Sequence, residues 1–182
     1  LEDPVTVYYP RTEYIFGQSD SVIASGSMEA EGFKTDLTAL LNAYLQGPGP
    51  EGLRNPFPAD SRVMQLQLED TVLTLNMNDS FSTLTGAELT LSCACLAKTA
   101  LSLSAAQIVQ ITLDSDLPDT RRIFTMDAKN LLLMDDILKH FTDVALGILY
   151  LNLAVVGVGK HIVALSAIKG VFDIAVERVY TE

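Results

Sequence analysis

One stretch constrains the fold of this chain more than any other: YLQGPGPEGLRNPFPADS, from Tyr44 to Ser61. It holds four prolines and three glycines, and patterned sequence lies on both sides of it. Proline fixes its own backbone angle and lacks an N–H donor, so neither a helix nor a central strand continues through such a stretch. The stretch is either a linker between two domains or a rigid turn inside one, and the flanking patterns decide which.

The residues before this stretch predict two strands and a helix. Val5–Tyr9 are β-branched and aromatic, which favours a strand, and Ser21–Ser25 predict a second one. Apolar residues then recur every three or four positions from Phe33 to Leu45, the spacing of an amphipathic helix. Gly47 followed by Pro48 is a natural end for that helix.

The residues after the stretch predict a hairpin. Apolar and polar side chains alternate through Arg62–Asp70 and again through Thr71–Asp79, with Glu69 and Asp70 as the turn between the two runs. Alternation with period two indicates two antiparallel strands with one buried face.

A helix and two strands follow the hairpin. Thr85 with Glu88 three residues later is a capping-box signature, so the small-residue run that follows is predicted to be a helix. Ile108–Asp114 and Arg121–Ala128 read as strands.

This order, β-β-α-loop-β-β-α-β-β, predicts the α+β class. We expect a two-layer sandwich in which a mainly antiparallel sheet of five or six strands carries two helices on one face. A cut at the proline-rich stretch would leave the apolar stripe of the first helix without a sheet. The stretch is therefore predicted to be an internal loop.

The composition and net charge of the chain argue against some classes of binding partner. The chain has 182 residues, 48% apolar and 19% charged, with a formal net charge of −11. A sizeable core is compatible with this composition. The acidic balance argues against nucleic acid as a partner and disfavours a peripheral contact with anionic lipid.

Few residues are candidates for catalysis, metal binding or phosphate binding. The two cysteines, Cys93 and Cys95, lie on opposite sides of the predicted helix, so we expect free thiols and no zinc site. No G-x-S-x-G elbow accompanies His140 or His161, and Gly157–His161 lacks the spacing of a phosphate-binding loop.

Two acidic groups have structural interpretations. Asp114, Asp116 and Asp119 lack the glycine and distal glutamate of an EF-hand, which favours a solvated loop. Glu29, Glu31 and Asp36 flank the start of the first helix, where negative charge is favourable. We predict no catalytic residue, no bound metal and no cofactor.

The chain resembles the GerMN domain, found in sporulation and spore-germination proteins and in bacterial envelope lipoproteins. The resemblance rests on GP…GL…P.P..S.V between Gly47 and Val63 and on D.VLTLNMNDSF ending at Phe81, and it covers Val5 to Leu133. It implies a fold related to the ring-building motifs of envelope complexes and no established catalytic residues. The candidate structural or interaction positions on these motifs are Gly47, Pro48, Gly52, Leu53, Pro56, Phe57, Pro58 and Phe81.

The resemblance also implies an extracytoplasmic protein tethered by a lipid on a cysteine upstream of Leu1. The chain begins without a signal-type segment, so we expect a leader to have been removed. Two functions follow from the sequence. The favoured one is a non-catalytic envelope domain that binds other envelope proteins or itself. The alternative is a ligand-binding or enzymatic surface protein with a site near the proline-rich loop or the loop that begins at Asp114.

The C-terminal part departs from the family pattern. We predict a GerMN-like domain over residues 1–135 and an apolar segment over 136–182 that packs on the domain or at an interface. Val144–Gly159 is free of charge, yet Asn152 and three glycines make it a poor membrane span. Periodicity leaves open whether this segment is helix or strand.

Overall fold

The computed structural model describes residues 4–13, 21–30, 32, 35–47, 49–114 and 121–131. The predictions for Pro48, for Glu31, for both histidines, for Asp116 and Asp119, and for the whole of 136–182 fall outside these residues.

The N-terminal part forms a hairpin and a helix. β1 (Val5–Pro10) and β2 (Ile23–Met28) pair antiparallel, with Val5 opposite Met28. α1 (Leu37–Gln46) begins four residues later than its apolar pattern does, because the Asp36 side chain accepts a hydrogen bond from the Ala39 N–H at 3.0 Å and caps the helix there. The predicted structural role of Asp36 at this terminus is confirmed.

The central hairpin follows the proline-rich loop. β3 (Val63–Glu69) and β4 (Val72–Met77) are antiparallel, and an extra residue on β3 shifts the register at Met64. The turn residues are Asp70 and Thr71, one position later than predicted. Asp70 takes the left-handed conformation (φ 52°), which Asp tolerates better than most residues.

Two helices and two strands follow, and residues 128–131, at the end of the described part, are also helical. A short helix, α2 (Asp79–Ser82), precedes α3 (Gly86–Leu103), and β5 (Ile108–Asp114) and β6 (Arg121–Asp127) follow. α3 starts at the predicted place, with Thr85 as its N-cap. The capping-box hydrogen bond is wrong, however, because Thr85 makes no side-chain cap bond and Glu88 pairs with Arg54.

The α+β class is confirmed, and the strands divide between two sheets. β1 and β2 form one, and the other has the order β3-β4-β5-β6, with β4 parallel to β5 and the other neighbours antiparallel. α3 packs against β1 and also against β5 and β6, while α1 packs against β3. α3 can approach β1 closely because its buried positions include small residues such as Ala94, Ala97 and Ala100.

One core joins both sheets and the helices. It contains the inward residues of β1, the apolar stripe of α1, much of α3, and alternate residues of the large sheet. Cys93 and Cys95 form no disulfide with each other and are fully buried in it, consistent with small core residues.

Candidate functional site

The proline-rich loop is tied into the N-terminal hairpin. The Leu53 N–H donates to the Pro50 carbonyl at 2.9 Å, closing a turn in which Gly52 has φ 78°. Beyond this turn the Thr12 N–H donates to the Gly52 carbonyl and the Arg54 N–H to the Pro10 carbonyl, both at 2.9 Å. The loop therefore continues the outer edge of β1 and is an internal part of the fold.

Phe57 lies under this loop in a cluster of aromatic rings. Its side chain is 8% exposed, and its ring centroid is 5.2 Å from that of Tyr44 and 5.9 Å from that of Phe81. Tyr9 completes the cluster, 4.7 Å from Tyr44. The structure thus brings two of the candidate residues, Phe57 and Phe81, together in the core, and Phe57 packs on α1 as an anchor for the loop.

Two residues next to Phe57 have their carbonyl groups bonded. The Pro56 carbonyl accepts from Ser92 Oγ of α3 at 3.2 Å, and the Pro58 carbonyl accepts from Ser61 Oγ at 2.8 Å. Ser61 and Ser92 are fully buried. The first bond ties the loop to α3 and the second closes a turn within the loop, so Pro56 and Pro58 have structural positions.

Side-chain amides that the sequence reasoning missed hold the loop on α1. Asn55 Nδ2 donates to the carbonyls of Leu45 and Gly47, at 3.0 and 2.8 Å, and its Oδ1 accepts from the Phe57 N–H at 2.8 Å. A helix leaves its last carbonyls without partners. Asn55 supplies a partner at this end, which makes it a C-terminal cap of α1 in tertiary space.

Gly47 ends α1 in extended backbone, with φ −68° and ψ 155°, and its N–H donates to the Ala43 carbonyl.

Close packing against the loop requires a glycine at position 26 of β2. A Cβ there would lie 2.4 Å from Cγ of Pro50. The loop thus lies directly against the hairpin at this point.

A cleft of about 570 Å³ opens beside the loop. Its walls are the turn 50–53, the near half of the hairpin and Lys98 of α3. Lys98 Nζ lies 5.5 Å from the centroid of the Tyr8 ring, and Arg11 Nε donates to the Ser21 carbonyl at 3.0 Å. Two cations, Arg11 and Lys98, and one carboxylate, that of Glu51, line the cleft, so its charged lining carries a small excess of positive charge.

Burial favours the neutral forms of two tyrosines and one cysteine of the core. Burial raises the pKa of the Tyr9 phenol, with a smaller contribution from Cys95, and burial raises the pKa of Tyr44 in the same way. Burial also raises the pKa of the Cys93 thiol, against an opposing effect of Arg122. A buried neutral thiol is chemically inert. Within the same residues no group of three acidic, cysteine or histidine side chains converges as metal ligands.

β1 and β3 each have one side on which no strand of the described sheets is paired, and these two edges differ in how they are covered. Along β1 the Tyr8 N–H donates to Thr99 Oγ1 at 2.9 Å, the Tyr8 carbonyl accepts from the Tyr44 hydroxyl at 2.6 Å, and the Thr6 carbonyl accepts from Ser102 Oγ at 2.9 Å. Helix hydroxyls thus replace a neighbouring strand. Such cover prevents strand addition.

Among the residues that the structure describes, the edge of β3 is covered at its first residue only. Val63 exchanges two hydrogen bonds with the Asn42 side chain of α1, at 2.8 and 3.4 Å. Farther along, Met64 is 67% and Leu68 is 47% exposed, the largest exposures of apolar side chains on this strand. The alternation of Met64, Leu66 and Leu68 with glutamines predicted that these three side chains lie on one buried face. This is wrong for Met64, because the extra residue at that position puts Val63 on the buried face instead, and Leu68 is also largely exposed.

In the part of the chain that the structure describes, no helix is both long and apolar enough to cross a bilayer. The prediction about Val144–Gly159 lies outside that part.

Comparison with known proteins gives likenesses of structure. No family model matches the sequence, and no curated protein matches it. Among solved structures, the tandem GerMN domains of the sporulation protein GerM from Bacillus subtilis are 24% identical, with a TM-score of 0.44. That match covers 59% of this chain and 37% of the other. The comparison therefore returns the GerMN family that the sequence resembles.

A second solved structure, a candidate lipoprotein from Clostridium perfringens, is 14% identical, with a TM-score of 0.42, and the match covers 70% of this chain and 90% of that one. Both are likenesses only. At these TM-scores neither of them carries an argument about function, and this chain spans little more than a third of the GerM structure.

Proposed function

We propose that this domain is a non-catalytic protein-interaction domain of a bacterial cell-envelope protein, acting in sporulation, spore germination or a related surface assembly. The observation that supports it most directly is the outer edge of β3, where, among the described residues, Met64 and Leu68 are exposed and no other strand is paired. Strand addition at such an edge is a common mode of protein recognition. The envelope setting rests on the resemblance of the sequence to the GerMN domain.

The same resemblance supports an extracytoplasmic location with a lipid anchor upstream of Leu1. The contribution of the proline-rich loop to this function is indirect. Its candidate residues Phe57 and Phe81 are buried and its backbone is bonded to α1, α3 and β1, so the loop holds the sheet edges in place.

Site-specific photo-crosslinking in the producing cells tests this proposal. A photoreactive residue at Leu68 is expected to crosslink to an identified protein of the envelope or to another copy, and the same residue at Thr125, on the outer face of β6, serves as the control. Equal, background-level crosslinking at both positions would count against an interaction role for the β3 edge.

A second function is favoured by the cleft. Arg11, Lys98 and the Tyr8 ring line a space large enough for a small anionic ligand, as the alternative hypothesis of a surface binding protein requires. Titration with acetate and with inorganic phosphate, followed by NMR, would show amide shifts at Arg11 and Lys98 if the cleft binds anions. These shifts should disappear in Arg11→Ala, and no shift at millimolar concentrations would exclude this function.

A further inference from the structure

The chain leaves β6 on the core side of the large sheet. A helical turn over residues 128–131 follows β6 directly, and the Asp127 side chain caps its start by accepting a hydrogen bond from the Asn130 N–H at 2.7 Å. Leu131, the last described residue, is 3% exposed and belongs to the core. The helix that begins at Ala128 therefore starts with an apolar side chain against the core.

The core face of β6 leads into this turn. Met126 and Phe124 lie on that face, because Val109 and Ile111, their partners on β5, are fully buried. Met126 is buried as well, whereas Phe124 is partly buried. α3 packs against both β5 and β6. Among the described residues, Phe124 thus lies at the margin of the core beside α3.

The sequence after this turn has the spacing of a helix with one apolar side. Four apolar residues follow one another at intervals of three and four positions: Leu131, Met134, Leu138 and Phe141. At about 3.6 residues per turn they fall on one stripe. The charged residues of the same stretch fall on the other side of the helix: Asp135, Asp136, Lys139 and Asp143. The capped turn at 128–131 favours this helical interpretation.

We propose that residues 132–143 continue the helix and pack antiparallel to β6 on the core face of the sheet, beside α3. In this arrangement Leu131 lies beside Met126. A helix rises about 1.5 Å and a strand advances about 3.4 Å per residue, so Phe124 lies about 7 Å farther back along β6. Met134 and Leu138, at about 4.5 and 10.5 Å from Leu131 along the helix, then lie on either side of the Phe124 ring.

The position of the turn favours this segment of the same chain as the occupant of the surface. Asp127 pairs with Ile108, the first residue of β5, so the described sheet ends there. A helix that continued in the direction of β6 would leave its apolar stripe in water, whereas folding back buries it. Only the capping residue joins strand and helix, and elements with so short a connection are neighbours in space.

This inference is independent of the proposed functions and concerns the extent of the domain. The boundary predicted after residue 135 falls inside the proposed helix. The helix adds a third long element to the layer formed by α1 and α3, and only the residues beyond it would form a separate apolar segment.

Alanine substitutions in the full chain test the packing. Leu138→Ala is expected to lower the urea midpoint, because it removes apolar atoms from the contact with β6. Lys139→Ala is the matched control, since it also introduces a good helix former but removes a side chain from the charged side. A midpoint for Leu138→Ala no lower than that for Lys139→Ala would overturn the proposal.

A double-mutant cycle tests which surface the segment contacts. The loss of unfolding free energy in the double variant Phe124→Leu with Leu138→Ala should be smaller than the sum of the two single losses, because the two side chains share one contact. Ile123→Ala, on the outer face of the same strand, should be additive with Leu138→Ala. Additivity in both pairs would overturn the placement on β6.

Amide hydrogen exchange of the full chain gives an independent measurement. The amides of Met134, Leu138 and Phe141 should exchange at least about tenfold more slowly than those of an unfolded peptide of the same sequence. Exchange at the unfolded rate would overturn the proposal. Protection that disappears on dilution would assign the segment to the β6 surface of a second copy, and would equally overturn packing within one chain.

Discussion

At the scale of single residues, the centre of this domain is the ring cluster of Tyr9, Tyr44, Phe57 and Phe81. The four residues come from β1, α1, the proline-rich loop and α2, which are far apart in the sequence. The Tyr9 hydroxyl donates to the Tyr44 carbonyl at 2.6 Å, while the Tyr44 hydroxyl donates to the Tyr8 carbonyl. The cluster therefore combines the burial of four aromatic rings with one buried and one partly buried hydrogen bond.

Removal of the Phe57 ring should be costly. Phe57→Ala is expected to lower the free energy of unfolding by about 3–5 kcal/mol, because the cavity would lie between three other rings. Urea unfolding measures this change. Ile123→Ala, which truncates a side chain 62% exposed on β6, is the control and should change stability by less than about 0.5 kcal/mol. An unfolding midpoint of Phe57→Ala equal to that of the parent would show that the loop is only a tolerated surface segment.

The buried phenols predict a loss of stability in alkali. In the folded chain the pKa values of Tyr9 and Tyr44 are raised, so the folded state keeps protons that the unfolded state releases near its ordinary tyrosine pKa of 10.0. Their contribution is fully present below pH 10 and is lost as the pH rises above it. Unfolding free energies measured from pH 8 to 11 should therefore fall above pH 10, and the fall should be shallower in Tyr9→Phe.

At the scale of elements, the loop and the hairpin are held at a fixed distance. Pro50 packs on Gly26, the turn 50–53 bonds to the end of β1, and Asn55 caps α1. A proline-rich sequence thus acts here as a rigid connection among three elements.

Gly26→Ala tests this packing. The added methyl group would lie 2.4 Å from Cγ of Pro50, and a proline ring cannot rotate away, so we expect a loss of about 1–3 kcal/mol. Ser25→Ala, at the exposed neighbouring position of the same strand, should be nearly neutral. Thermal unfolding compares the two variants, and equal midpoints would mean that the loop shifts without cost.

At the scale of the whole molecule, the apolar segment 136–182 is the part for which the family resemblance implies nothing. Its composition, rich in Leu, Ile and Val with recurring charges, predicts that it packs on the first 135 residues or at an interface, since free exposure would create an unusually large apolar patch.

Truncation after Asp135 examines this prediction. We expect the shortened chain to aggregate or to unfold at lower denaturant concentration than the full chain. A truncated chain as stable and as monodisperse as its parent would show that the segment contributes neither core nor interface.

Local pattern was sufficient for much of the described fold. Period two in Arg62–Asp79 predicted the hairpin, the three–four spacing predicted α1, and small residues after Thr85 predicted α3, because these patterns reflect which side of an element is buried. The positions of Gly47 and Pro48 likewise marked the end of a helix. Even the internal nature of the proline-rich loop followed from the helix stripe on one side and the strands on the other.

Only the tertiary structure decided which elements and which side chains are neighbours. The separation of β1 and β2 from the larger sheet depends on how closely α3 approaches β1, and no local pattern encodes that distance. Glu88 pairs with Arg54 instead of capping its own helix, and Asn55 caps a helix ten residues back, because both partners arrive only when the loop folds over. For the same reason the sequence predicted β3 as a strand, whereas its position at the end of the described sheet follows only from the strand order of the fold.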